Sequence, residues 1–330
     1  MREILSFYKT NLSSDEVLKT ENCNVFFKSG KVLTDTMSGL WCSPLGYSNI
    51  SIKDAISQQL ECNPYQSNFL GFHNQVTEEY AEKLCILTNM EKVYFTNSGS
   101  SAVETAIKIA THIKQNNTCG VARYSYHGSS VLSASASDQS INSWPTVTNP
   151  LTVFKFDSAE TLEDIIKLNP GFIIIEPVIA AGGVYTHSQE IFQLLKMYQE
   201  AGCLVSENIS SQLKFFNHGF TFSGHPVGSA AGLAMLDELN HSNMSHKRFD
   251  RKIVHNSIKE HRVVGCMGAI EFYKKTDSLR FTNKIRNKGY MVEAASENLN
   301  SVVYCLPYIF TDLKFKDFIE TIESIINDDL

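Results

Sequence analysis

Val93-Tyr94-Phe95-Thr96-Asn97-Ser98-Gly99-Ser100-Ser101-Ala102-Val103-Glu104 passes from an apolar run, through a small polar turn, into residues that suit a helix. Val93 to Phe95, bounded by Lys92 and Thr96, reads as a short strand. Beyond the turn, Val103, Ala106, Ile107 and Ala110 recur at helical spacing, with Ser101 and Glu104 placed as a capping box. A strand that turns into a helix in this way leaves the first N–H groups of the helix pointing outward with partial positive charge. An anion such as phosphate fits there, and glycine lets it come close. Turns of this composition are common, so the segment alone is equally a plain capped turn.

Outward from this turn the chain alternates strand and helix. Val76 to Leu87 is helical, with Tyr80, Leu84 and Leu87 along one face. Phe172-Ile-Ile-Ile-Glu-Pro-Val178 is a continuous apolar run, the pattern of a strand covered on both faces. A helix follows from Ser188 through Ile191, Leu194, Leu195 and Tyr198 to a glycine stop at Gly202, and Cys203 to Ser206 is the next strand. That order implies a parallel sheet with crossover helices. Toward the end the pattern changes. Val263 to Phe272 and Val302 to Leu306 read as strands, before an amphipathic helix through Phe315, Phe318, Ile319, Ile322 and Ile326. The expected architecture is α/β: a large domain over residues 51–245, and a small α+β domain over residues 246–330 that residues 1–50 join.

The 330 residues suit about two domains, and 43% hydrophobic with 19% charged residues is ordinary for a chain with a core. A net charge of -6 argues against nucleic acid or an anionic membrane as partner. The 8 cysteines form no C-x-x-C pair and no histidine cluster has zinc-ligand spacing, so no metal is expected. Cys203 and Cys266 sit in apolar runs and read as core. The first residues contain no apolar signal region, and no apolar run approaches membrane length. These features lead to the expectation of a reduced, soluble, cytoplasmic protein.

The turn at Asn97–Glu104 does not stand alone. Tyr126-His127-Gly128 follows, then Glu176-Pro177 with Gly182-Gly183 beyond it. Next come Phe220-Thr221-Phe222-Ser223-Gly224-His225-Pro226 and the small-residue stretch Ser229 to Met235. In this order the series resembles the class III aminotransferases, fold-type I enzymes dependent on pyridoxal phosphate (PLP). Met37-Ser-Gly-Leu-Trp-Cys42, Gly46-Tyr47, Phe72-His-Asn74 and Val264-Gly-Cys-Met-Gly-Ala-Ile-Glu271 resemble the branch that contains the diaminopelargonate aminotransferase. The resemblance runs from about Ser29 to Asn327, with gaps.

What this resemblance implies is specific. Gly99 and Ser100 would hold the cofactor phosphate, and Tyr126 would stack on its ring beside His127. Glu176 would belong to the cofactor site, and Trp41 would line the substrate pocket. Thr221 would reach the phosphate of a neighbouring subunit's cofactor, making a homodimer part of the site. Each has a blander reading. Tyr126 and Trp41 are equally core aromatics, His127 a hydrogen-bonded wall residue, Thr221 a helix cap, and Glu176 the end of a strand.

The chain also departs from the family. Where the resemblance calls for the aspartate that pairs with the pyridine nitrogen, this sequence has Glu207, which keeps the charge one methylene further out. Thr221 then follows Glu207 by only fourteen positions, so a block that carries strand structure and the Schiff-base lysine in the family has no counterpart. Lys214, in Leu213-Lys-Phe-Phe216, is the one lysine in that interval. A nucleophile misplaced by even ~1 Å can lose about a hundredfold in rate, so an exposed loop lysine is the simpler reading. Tyr290-Met-Val-Glu293 carries no carboxylate-binding arginine, and Ile179 and Ala181 stand where the family places polar residues.

Three functions follow from these observations. The first is a protein that binds PLP, or its amine form PMP, without a lysine and acts on a small amino or keto compound, with His127 a candidate proton carrier. The second is a non-catalytic pseudoenzyme acting through a homodimer or a full-length homologue. The third is a working transaminase that uses Lys214.

Overall fold

Thr118–Ala122 (β4) is the middle strand of a parallel sheet in which Thr152–Phe156 (β5) and Phe172–Ile174 (β6) flank it, in a computed structural model. The structure describes residues 15–68, 71–138, 149–202, 209, 218–242, 248–295 and 298–329. Cys119, Val121 and Ala122 are buried because helices cover both faces of a central parallel strand. Burial pushes the Cys119 thiol up to about 12, so it is inert packing. The helix Gly99–Lys114 (α4) places Ile107 in one layer, and Ala159–Lys167 (α6) buries Leu162 and Ile165 in the other.

Three expectations change here. Val93–Phe95 joins no ladder among the described residues, and one of its carbonyls is met by a side chain instead. Ser223 Oγ donates to the Phe95 carbonyl at 2.7 Å. The run 172–178 is not one strand. β6 ends at Ile174, and Val178–Ile179 (β7) pairs antiparallel with Tyr185–Thr186 (β8). Pro177, which has no N–H to give a ladder, stands between them. The cap of α4 is Ser98, reciprocally bonded to Ser101, not a Ser101–Glu104 box. Glu104 accepts instead from the N–H groups of Leu132 and Ser133, at the start of Val131–Ser135 (α5). The expected strand at Cys203–Ser206 lies outside the described residues.

A second body forms around an antiparallel sheet. Ile258–Val264 (β9) and Met267–Phe272 (β10) make a hairpin, with Glu293–Ala294 (β12) and Ser301–Cys305 (β13) on its other side. The single strand expected over 263–272 is thus two, because Gly265 at φ +62 turns the chain tightly. Lys275–Asn287 (α9) and Asp312–Asp329 (α10) cover this sheet, burying Phe281, Phe318, Ile319, Ile322 and Ile326. The N-terminal strands Val17–Glu21 (β1), Asn24–Phe27 (β2) and Val32–Asp35 (β3) tie in through Tyr290–Met291 (β11), which lies parallel to β3. Cys266 is buried in this core, as its apolar surroundings suggested.

A third group is helical. Ile50–Cys62 (α2) and Gln75–Thr88 (α3) pack against Pro226–Ser242 (α8). Gly232 makes the approach possible, since a Cβ there would fall 2.4 Å from the Tyr80 ring. Thr77 and Ser229 hydroxyls meet at 2.9 Å across the same contact.

Candidate active site

The first turn of α4 emerges beyond the carboxyl end of the parallel sheet, where open α/β sheets place ligands. Ser98 occupies the Ser101 N–H at 3.2 Å. The N–H groups of Gly99 and Ser100 have no acceptor among the described residues. A Cβ built on Gly99 would meet nothing within 4 Å, so the approach to those donors is open. Unpaired N–H groups at the positive end of a sixteen-residue helix suit an anion.

The loop after β4 forms the facing wall. Gly128, at φ +131, brings it against α4: a Cβ there would lie 2.5 Å from Ser100 Oγ and 2.6 Å from Ser133 Oγ. The Ser129 N–H then donates to Ser100 Oγ at 3.1 Å. Tyr126 keeps 36% of its surface exposed, and its N–H donates to Glu176 Oε1 at 2.9 Å. Glu176 therefore holds the loop, and His187 Nε2 contacts its carbonyl oxygen at 3.0 Å. His127 is buried, with its N–H on Ser137 Oγ at 2.8 Å, while its Nε2 has no partner and no exposure. Burial pushes its pKa down to about 4, so the ring is neutral near pH 7.

The structure thus brings Gly99, Ser100, Tyr126, His127 and Glu176 together. The other two described candidates lie on other elements. Thr221 is exposed on the turn before α8, its carbonyl accepting the Tyr65 hydroxyl at 3.1 Å. Trp41 is 38% exposed on a one-turn element, Ser38–Trp41 (α1), whose residues all have left-handed φ between 48 and 63. Glu207 and Lys214 lie outside the described residues.

Several supporting residues were not anticipated. Asp35 accepts the N–H groups of Met37 and Gly39, each at 2.7 Å, and the Tyr47 hydroxyl at 2.5 Å, which holds the left-handed turn. Its spacing two residues before Met37 is an Asx-turn signal that was available in the sequence. Asp138 Oδ2 holds the Tyr124 N–H at 2.9 Å and pairs with Lys155; nothing in the local pattern marks a contact across fourteen residues. His218 lies against α4, with Nε2 2.9 Å from Thr105 Oγ1 and Nδ1 2.8 Å from Lys108 Nζ. Its pKa is lowered, first by burial and then by the charge of Lys108. Among the described residues no group of three or more His, Cys, Asp or Glu could hold a metal, and no helix is long and apolar enough to cross a membrane.

Comparison with known proteins gives this geometry a context. The family model described as aminotransferase class-III matches residues 10–205 and 198–326. The acetylornithine aminotransferase of Methanosarcina acetivorans is 24% identical over 353 residues, covering 90% of this chain and 87% of that protein. The mitochondrial gamma aminobutyrate transaminase 1 of Solanum lycopersicum is 28% identical over 315 residues, 68% of this chain and 61% of its own length. Among solved structures, the omega transaminase of Pseudomonas jessenii in complex with PMP superposes with a TM-score of 0.85 at 20% identity, over 99% of this chain and 96% of that one. A PMP-bound aminotransferase from Vibrio fluvialis gives 0.84 at 21%, over 95% and 92%. These likenesses show a fold-type I transaminase fold. The family match comes in two stretches that meet at residues 198–205. The alignment with the Methanosarcina protein spans 353 positions yet takes in 90% of 330 residues, so several dozen of its positions have no residue here.

Proposed function

The chain belongs to the class III aminotransferase family, and from that premise we propose that it binds PMP or PLP without a Schiff-base lysine and is impaired in ordinary transamination. The observation that carries this reading is the pair of N–H groups on Gly99 and Ser100 that have no acceptor among the described residues, faced by the Tyr126–Gly128 loop. The donor set fits a phosphate: two amides at a helix N-terminus, and a glycine that lets the second wall close on them. When bound, the cofactor supplies an electron sink for chemistry at an amino or keto carbon. The chain's own part is binding and orientation. Gly99 and Ser100 take the phosphate, Tyr126 offers a ring face, and Glu176 fixes the loop that carries it. Glu207, by the family resemblance, would supply the negative charge for the ring nitrogen.

The break in the family match just before Glu207 favours loss of the lysine-bearing block. His127 is a poor substitute as proton carrier, because its Nε2 is sealed and its ring stays neutral down to about 4. Titration with PLP, followed by borohydride and peptide mapping, tests the reading. Saturable binding with no lysine tagged supports it. A cofactor fixed on Lys214 would mean a rebuilt transaminase site and would refute it, as would failure to bind either cofactor.

A second reading has its own observation. α2 has no buried residue, and Ile86, Leu87 and Met90 at the end of α3 are 53–74% exposed. Apolar surface of this kind suits pairing with a second copy of the chain or with a full-length homologue. A pseudoenzyme that acts through such pairing would keep its dimer and bind no cofactor.

A further inference from the structure

Among the described residues, a dense buried ionic network lies away from the phosphate turn, between the β9–β10 hairpin and the loop that precedes β8. Arg262 on β9 and Glu271 on β10 are paired at 2.6 Å, with side chains only 9% and 6% exposed. Glu271 also receives Lys259 Nζ at 2.8 Å and the Tyr185 hydroxyl at 2.9 Å. Burial acts to raise the Glu271 carboxyl, but these donors and the Arg262 charge outweigh it and leave the group at about 2. Such a network holds its members in one geometry, because any donor or acceptor left unpaired at this depth is costly.

The network does not end in the small domain. Arg262 Nε donates to the Gly183 carbonyl at 2.8 Å, and its guanidinium carbon lies 3.9 Å from the centre of the Tyr185 ring. Tyr185 stacks on Tyr124, with ring centroids 5.0 Å apart and planes 18° from parallel. Gly182 lets the two segments meet, since a Cβ there would fall 2.0 Å from the Tyr124 carbonyl oxygen. Tyr124 is a bulky residue at φ 62, a left-handed conformation that persists only where the surroundings over-determine it. The surroundings that do so are Asp138 on its N–H, Gly182 against its carbonyl, and Tyr185 on its ring. Two residues later the chain reaches Tyr126.

We propose that Arg262 is a positioning residue for the ring face of Tyr126, acting through the stacked rings of Tyr185 and Tyr124. The small domain thereby sets the shape of the cofactor wall. This inference rests on the reading that the site binds PMP. Without the stack, Tyr124 is free to relax toward right-handed φ, and the peptide that leads to Tyr126 turns with it. The Arg262 plane is needed as well as its charge, because a lysine cannot both lie over the Tyr185 ring and donate sideways to Gly183.

The test is titration of the full chain with PMP, reading both affinity and the dichroism induced in the bound cofactor. Tyr185→Phe keeps the ring and is expected to stay within about twofold of the original protein, with the same dichroic band. Tyr185→Leu and Arg262→Lys are expected to bind roughly tenfold more weakly, with the band reduced or inverted. Arg262→Lys keeps a cation beside Glu271, so it decides the matter if Tyr185→Leu does not fold. Melting-temperature losses in Arg262→Lys with affinity and dichroism intact would overturn the inference while leaving cofactor binding standing. Equal losses in Tyr185→Phe and Tyr185→Leu would overturn it too, by assigning the effect to the hydroxyl. An original protein that binds no PMP overturns this inference together with the reading beneath it.

Discussion

Around α10, Phe272, Phe281, Phe310 and Phe318 are at most 1% exposed, while on α2 no residue is buried at all. Both regions are rich in apolar side chains, so hydrophobicity alone does not separate them. The C-terminal body has a sheet to cover: α9 and α10 lay their apolar stripes on it, and the core closes within one chain. The α2, α3 and α8 helices cover one another on one side only. α8 is built largely of small and apolar residues, yet most of its length is only partly buried. The C-terminal body closes its core among the described residues, while the helical group leaves apolar surface that the described residues do not cover.

The sharpest way to break this comparison is to cut into both regions. Phe318→Ala is expected to cost about 3–5 kcal/mol in denaturant unfolding. Leu60→Ala on α2 is expected to change the unfolding of the monomer by no more than about 0.5 kcal/mol. A loss of several kcal/mol at Leu60 in dilute, monomeric protein would mean that the helical group has a core of its own.

Acid should separate the regions next. Burial, reinforced by Lys252 and Arg262, pushes His261 down to about 4. The unfolded chain takes up that proton near pH 6.5, so stability is intact above 6.5 and falls as pH drops toward 4. Glu271, held at about 2, adds a loss that begins near pH 4.5 and runs down to 2. Each is of the order of 3 kcal/mol. Protection of the β9 and β10 amides, taken relative to the intrinsic exchange rate at each pH, should therefore fall over this range. A flat profile from pH 6.5 to 4 would contradict the burial of His261.

At the site, Gly128→Ala forces a side chain into a left-handed position 2.5 Å from Ser100 Oγ. It should cost about 1–3 kcal/mol and weaken PMP binding, measured by titration, with the unfolding of α10 unchanged. The smallest effect on folding is expected from Leu87→Asp on α3. It should leave monomer stability within about 0.5 kcal/mol, yet shift sedimentation toward monomer if a second copy covers that face. A species already monomeric before substitution would remove this explanation of the exposed surface.

The legible part of the fold was the part decided by local pattern. The α4 turn, α7 (Gln189–Gly202) and the α10 stripe lie where the sequence periodicity put them, whereas α6 was not read from the sequence. Val93–Phe95 reads as a strand but pairs with no strand among the described residues, because a ladder needs a neighbour that no local pattern can supply. The 263–272 run hid a hairpin because Gly265 and Cys266 interrupt an apolar stretch without any polar turn residue. In the candidate site, Gly99, Ser100, Tyr126 and His127 are proposed from motif order, and the fold brings their segments together. The roles of Arg262, Tyr185 and Asp138 were not, since each acts across a long stretch of chain through contacts that only the tertiary fold creates.

The central claim is that the first turn of α4 still binds a phosphate-bearing cofactor without a lysine. Calorimetric titration with PMP, repeated in the presence of inorganic phosphate, tests it most directly. Saturable binding near one PMP per chain is expected, weakened by competition from inorganic phosphate and largely abolished by Gly128→Ala. No heat of binding, or binding that phosphate and Gly128→Ala leave untouched, would contradict it.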